Sequence, residues 1–173
     1  MFKSFIPYCH AKSIYEVDPN FFKKQGIKVL FIDLDNTLDS FKAYHAKQNA
    51  IDYIKSLLEI GITPIVVSNN KGKRVSNFAS DLKIDFVSSA RKPSGRKIRN
   101  KISDLGLTND DVMLVGDQMM TDVLAGKNSK IRVMLTEKIV KEDQWTTHIN
   151  RLFDKPIRKY HLKRNNLKDW REI

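Results

Sequence analysis

The chain has 173 residues, 41% hydrophobic and 29% charged, which suits one folded domain able to bury a substantial core. Thirty-one Lys and Arg against twenty Asp and Glu leave a formal net charge of +11, a bias toward anionic partners such as phosphates, nucleic acid or an acidic membrane face. Cys9 is the only cysteine, so an internal disulfide and a cysteine-built zinc site are excluded; no stretch has the apolar length of a secretion signal or a membrane span, and we expect a cytoplasmic protein.

Taken in chain order, Asp18-Pro19 starts a short helix, with a capping side chain followed by a residue suited to the first helical position, and Gly26 ends it. Lys28–Asp33 (KVLFID) is mostly apolar and of strand length, as a buried parallel strand is. Ala46 to Ile60 carries a helical stripe of Ala50, Ile51, Ile54, Leu57 and Leu58, closed by Gly61. Thr63–Val67 reads as the second strand and Lys73–Leu82 as a helix. A short strand around Phe86–Ser88 follows, then a helix from Gly95 to Leu105, a strand Val112–Gly116, a helix Thr121–Lys127 and a fifth strand Ile131–Leu135. Strands alternating with helices at this spacing predict right-handed βαβ units and a mostly parallel five-stranded sheet covered on both faces. Ligands of such sheets bind beyond the carboxyl ends of the strands.

The residues expected at those ends form a pattern. The first strand runs into Asp33, Asp35 and Thr37, and the second into Ser68, Asn69 and Asn70. The loop before the third major helix carries Arg91 and Lys92, and the fourth strand runs into Asp117 and Asp122. Each alone is ordinary loop chemistry. Together they bring acidic groups, a hydroxyl and an ammonium to one crevice. Three crowded carboxylates repel unless a cation joins them, and a hard divalent ion with oxygen ligands, Mg2+ in particular, would bridge them to a phosphoryl oxygen. Lys92 would offset phosphoryl charge, and Thr37 and Ser68 would donate to its oxygens.

The motifs DLDNTL, SNN, KP and GDQMMTD, in that order from about Val29 to Leu135, resemble motifs I to IV of the haloacid dehalogenase-like phosphatase superfamily. The wording VVSNN, ARKP and GDQMMTDVL resembles the YqeG-type group of its subclass IIIA, which is related to phosphatidylglycerophosphate phosphatases. The resemblance implies a Rossmann-like three-layer sandwich and a phosphomonoester hydrolase. In it Asp33 is the nucleophile that becomes an aspartyl-phosphate, and Asp35 is the general acid and base. Mg2+ is held by Asp33, the Asp35 carbonyl and Asp117, while Asp122 completes the shell or orients its water and Lys92. Lys92 is catalytic, Thr37 and Ser68 bind the transferring group, and Asn69 is a further donor to it.

The gaps between the motifs hold about one helix (Thr37 to Ser68), then one helix and a short strand (Ser68 to Lys92). Neither can fold as a separate lid, so residues 1–150 are expected to form a capless domain with an N-terminal extension and an open site. Residues 151–173 form a basic C-terminal segment with eight Lys or Arg and three Asp or Glu. Phe153, Ile157, Tyr160, Leu167 and Trp170 lie there at roughly helical spacing, interrupted by Pro156. Such a segment either rests peripherally on the inner face of an anionic membrane or packs on the domain. Phe2, Phe5 and Ile6 allow the same two readings. In WTTHINR, Arg151 is a candidate clamp for a second phosphate. The resemblance and the basic, open site favour a phosphorylated lipid headgroup, phosphatidylglycerophosphate, as substrate. The alternatives are nucleic-acid ends or nucleotides, and a non-enzymatic phospho-aspartate switch or binding protein, against which stands the acid/base Asp35. The histidines lack metal-ligand spacing, Met119 and Met120 read as packing residues, and Lys71–Arg74 reads as a solvated run that would help attract phosphate.

Overall fold

The computed structural model describes residues 5–140 and 148–173, with side chains from position 154 onward in the last helix. Six strands form one sheet: β1 (Cys9–Ala11), β2 (Val29–Ile32), β3 (Thr63–Val67), β4 (Asp85–Val87), β5 (Val112–Gly116) and β6 (Arg132–Thr136). Their spatial order is β1-β6-β5-β2-β3-β4 and every pairing is parallel. The helices are α1 (Pro19–Lys24), α2 (Gln48–Glu59), α3 (Lys73–Leu82), α4 (Arg96–Asp104), α5 (Leu124–Ser129) and α6 (His148–Lys163). The Asp18 side chain caps α1 as its sequence predicts, accepting from Asn20 N at 2.9 Å.

The central strands β2 and β5 are buried along their whole length, which explains why they read as continuous apolar runs rather than alternating ones. Their alternate side chains nevertheless feed two separate cores. Leu30, Ile32, Met113 and Val115 pack with Phe22, Ile54, Leu57 and Phe78 from α1, α2 and α3. Val29, Phe31, Val112 and Leu114 pack with Ile98, Ile102, Val123 and Ile157 from the α4–α6 side. Three layers follow directly, each large side chain contributing roughly 1.5–3 kcal/mol by burial.

The edge strand β1 was not anticipated. Three residues are too few to show a period, and β1 is recognisable only through its pairing with β6 and the hydrogen bond from His10 N to Lys168 O, 2.8 Å. The C-terminal segment therefore comes back along this edge, with an isolated bridge between His10 and Asp169. The Trp170 ring meets Phe21 at 5.5 Å. Upstream, α6 continues through Pro156 rather than stopping there, and buries Asp154, Ile157 and His161. Its long outer side remains basic. Phe2, Trp145 and Thr147 lie outside the described residues, as do the side chains of Asn150, Arg151 and Phe153.

Register positions the strand ends. Ile32 lies level with Val66 on one side and Val115 on the other, so Asp33, Ser68 and Asp117 all emerge at the same rim. Asp33 N still bonds Val115 O (2.8 Å), and Ser68 N bonds Val87 O (3.0 Å). Between Thr37 and Ser68 there is only a loop, α2 and β3, and between Ser68 and Lys92 only α3 and β4 with their loops, so neither gap holds a separate folded unit. Among the described residues no helix is long and apolar enough to cross a membrane.

Cys9 reports on the integrity of this fold. It is fully buried in β1, and burial first, then the Asp169 carboxylate, pushes its thiol up to about 12. In native buffer near pH 8 the thiol is expected to resist Ellman's reagent and to react within minutes in denaturant. Fast labelling of the native protein would mean that the β1 edge is not closed.

Candidate active site

The loop after β2 begins the site. Leu34 and Leu38 are buried beneath it and hold it to the core. Asn36 adopts φ 66°, a left-handed conformation that Asn tolerates, and its N–H reaches Asp39 O at 2.7 Å. This turn leaves Asp33 at the strand end, Asp35 to one side, and Thr37 buried, with a hydroxyl that has no protein partner among the described residues.

Lys92 joins the other strand ends to Asp33. Its ammonium, sealed from solvent, donates to Asp33 Oδ1, to Asp122 Oδ1 at 2.7 Å and to Val67 O at 3.1 Å. Three donors meet three acceptors, so nothing on the ammonium is left unsatisfied. Burial alone would lower its pKa, but Asp122 and Asp33 raise it above the ordinary lysine value. It stays charged. Asp33 is likewise pushed well up, by burial first and then by Asp122, Asp35 and Asp117, with Lys92 opposing.

Asp33, Asp117 and Asp122 each present a carboxylate oxygen within 4.8 Å of the others, and all three are buried. Within this cluster one ammonium faces three carboxylates. The donors are all hard oxygens, and crowding them raises Asp33, so the residues fit a divalent cation such as Mg2+, whose charge would reverse that upward push. Asp122 has both carboxylate oxygens engaged: Oδ2 accepts from Gln118 N (3.0 Å) while Oδ1 holds Lys92.

The structure places the remaining expected residues in distinct roles. The Asp35 carboxylate lies outside the acidic cluster; it accepts from Asn70 Nδ2 (2.7 Å) and pairs with Arg74 (2.7 Å). Ser68 is buried, its hydroxyl accepting from Asn70 N at 3.1 Å. Asn69 turns both ends of its amide to the Lys92 backbone: Nδ2 donates to Lys92 O (3.0 Å) and Oδ1 accepts from Lys92 N (2.7 Å). These two bonds fix the segment that carries Lys92.

Two participants had no specific role assigned from the sequence. Asn70 appears there as a strand-end residue, the last of SNN. Arg74 sits in a run that reads as solvated, yet its side chain is 12% exposed and also donates to Ala43 O (2.7 Å) and Ser40 O (3.1 Å). No periodicity marks such a residue, because its partners lie 31 to 39 positions away. The turn beginning at Met119 is also wider than the helix expected from Thr121. Val123 N reaches back five residues to Gln118 O at 3.2 Å before α5 starts, a local widening that often accompanies functional sites.

The haloacid dehalogenase-like hydrolase profile matches residues 2–136. The chain belongs to that family. A Bacillus subtilis (strain 168) protein, "Probable phosphatase YqeG", is 32% identical over 170 residues, covering 98% of each chain. This meets the YqeG-type resemblance carried by VVSNN, ARKP and GDQMMTDVL, and with the family it makes the protein a phosphatase. At the level of fold alone, an uncharacterized protein from Listeria monocytogenes serotype 4b superposes with a TM-score of 0.53 at 12% identity, over 77% of this chain and 99% of its own. A 3-deoxy-D-manno-octulosonate 8-phosphate phosphatase from Yersinia pestis gives 0.50 at 16%, over 70% and 78%.

Gly116 tests the packing of the site. A Cβ there would lie 2.3 Å from Asp122 Cγ and 2.6 Å from its Cβ, so Gly116→Ala must displace Asp122 and with it a partner of Lys92. The expected result is a folded protein, destabilised by about 1–3 kcal/mol, whose kcat/KM on a phosphate monoester falls about 100-fold. Wild-type turnover in this variant would show that the Asp122–Lys92 contact is not needed.

Proposed function

We propose that this phosphatase is a Mg2+-dependent phosphomonoester hydrolase working through an aspartyl-phosphate on Asp33, with phosphatidylglycerophosphate as its substrate. The observation carrying this reading is the buried cluster of Asp33, Asp117 and Asp122, with Lys92 bridging Asp33 and Asp122 at one rim of the sheet. Asp33, Asp117 and the Asp35 carbonyl hold the cation in this reading, with Asp122 beside them. The bound cation supplies charge neutralisation to the phosphoryl oxygens.

In the first half-reaction an Asp33 carboxylate oxygen attacks phosphorus, the ester P–O bond breaks, and the leaving alkoxide takes its proton from Asp35. In the second, water attacks phosphorus and loses its proton to Asp35. The bond to Asp33 breaks, and inorganic phosphate leaves. Asp35 reaches the leaving oxygen by turning from Asn70 and Arg74. Lys92 keeps the Asp33 carboxylate aimed and offsets charge on the transferring group. The Thr37 hydroxyl, buried and without a protein partner, is suited to donate to a phosphoryl oxygen, with Ser68 on the facing loop. Asn69 enters as the group that positions Lys92.

The uncapped rim suits a bulky substrate. On α6, Lys155, Lys159 and Lys163 are exposed, and Leu162 is 58% exposed among them. A basic helix face with an apolar residue complements an anionic lipid surface, which supports a headgroup substrate over a soluble one.

Asp33→Asn is expected to abolish phosphate release from any monoester while leaving the thermal transition in place, and EDTA should silence the wild type until Mg2+ is restored. Turnover by a verified Asp33→Asn preparation would refute the nucleophile. Substrate class is read by comparing phosphatidylglycerophosphate in liposomes with 3′- and 5′-phosphorylated oligonucleotides. Release from the oligonucleotides with none from the liposomes would overturn the lipid assignment.

A further inference from the structure

The loop after β5, residues 117–122, carries two of the three clustered carboxylates, and three of its backbone groups are hydrogen-bonded by side chains from outside it. Its support comes from α6. Asp154 is 3% exposed and points back at the turn following Asp117: Oδ1 accepts from Met120 N at 2.9 Å and Oδ2 from Met119 N at 3.2 Å. These are the N–H groups that the start of a helical turn leaves without intrahelical partners, and a carboxylate is the favoured group there. One helical turn further on, Arg158 Nη2 donates to Asp117 O (3.0 Å) and to Thr136 O (3.0 Å). It therefore ties the end of β5 to the end of β6. Asp154 and Arg158 are four residues apart and so share a face of α6, with Ile157 and His161 buried beside them.

We propose that Asp154 and Arg158 are positioning residues for the cation site: together they hold the carbonyl of Asp117 and the turn that follows it, and so fix where its carboxylate is presented. The inference rests on the reading of Asp117 as a metal ligand. The physical argument is that the backbone of a ligand-bearing loop can be held from one side by the acidic cluster and from the other only by groups outside it. A buried carboxylate and a guanidinium, aimed at consecutive backbone groups of that loop, supply the second hold. Partners of this outer kind typically tune metal affinity about 10- to 100-fold.

The test uses the full chain as Arg158→Met, Arg158→Lys and Asp154→Asn, with Lys55→Ala on the exposed side of α2 as control. Each is titrated with MgCl2, and two quantities are read: the rise in Tm on adding Mg2+, and the half-saturating Mg2+ for hydrolysis of p-nitrophenyl phosphate. The Tm rise measures binding to the folded state and needs no turnover. Arg158→Met and Asp154→Asn are expected to need about 10- to 100-fold more Mg2+ in both measurements. Arg158→Lys, which keeps a cationic donor, should need less than either, and Lys55→Ala should match the wild type. Variants with a lower metal-free Tm but a wild-type Mg2+ dependence would overturn the proposal, leaving α6 as a strut. If Arg158→Met does not fold, Arg158→Lys and Asp154→Asn decide the matter. A wild type with no Mg2+ response in either measurement overturns the metal reading and this inference with it; a normal wild-type response left unchanged in the variants overturns this inference alone.

Discussion

An ammonium group buried between two carboxylates is expensive to desolvate and is held only if every proton finds an acceptor. Lys92 meets that condition by drawing on three separate segments: the end of β2 through Asp33, the end of β3 through Val67 O, and the turn after β5 through Asp122. The strands supply the rim, and this one side chain ties its parts together. Much of the surrounding construction keeps Lys92 in place. Asn69 clamps its backbone from β3, and Gly116 leaves the space that Asp122 occupies. Removing one member of such a group leaves the others buried and mispaired, so substitutions around it should couple rather than add.

The same constraint explains the division of labour among the acids. Asp122 has committed one oxygen to Lys92 and the other to Gln118 N, which suits a group that orients more than one that reacts. Asp35 is held apart from the cluster by Asn70 and Arg74, so two carboxylates only two residues apart occupy different electrostatic surroundings. Divergent environments are how paired acids acquire different roles. Arg74 also grips the carbonyls of Ser40 and Ala43, so the position of Asp35 is linked to the course of the uncapped loop leading to α2.

Most of the sheet could be read from the sequence because its central strands β2, β3 and β5 are apolar runs buried along nearly their whole length; the strands Thr63–Val67 and Val112–Gly116 and the helix Lys73–Leu82 have the bounds that the pattern predicts. Patterns fail where an element owes its existence to a distant partner. Cys9–Ala11 is a strand because β6 and the returning C-terminus lie on either side of it. Pro156 stays within α6 even though proline usually ends helices. The acidic cluster and Lys92 were visible as motifs, since their chemistry needs particular residue types at strand ends. The roles of Asn70, Arg74, Asp154 and Arg158 were not, because each acts through hydrogen bonds spanning 22 to 41 positions, and such polar ties leave no period in the sequence.

Charge acts in this molecule at two distances, with opposite sign. The whole chain carries +11, and that field reaches roughly a Debye length, about 8 Å at physiological salt, before screening removes it. It draws in phosphate-bearing molecules. Inside the rim the balance reverses: buried carboxylates outnumber the one ammonium of the cluster, and a bare phosphate dianion approaching them would be repelled. In the proposed reading, attraction at long range and acceptance at short range are reconciled by a cation in the acidic cluster. On that reading the basic surface cannot stand in for the metal: it acts on arrival, whereas the proposed step at phosphorus depends on charge held within a few ångströms of Asp33.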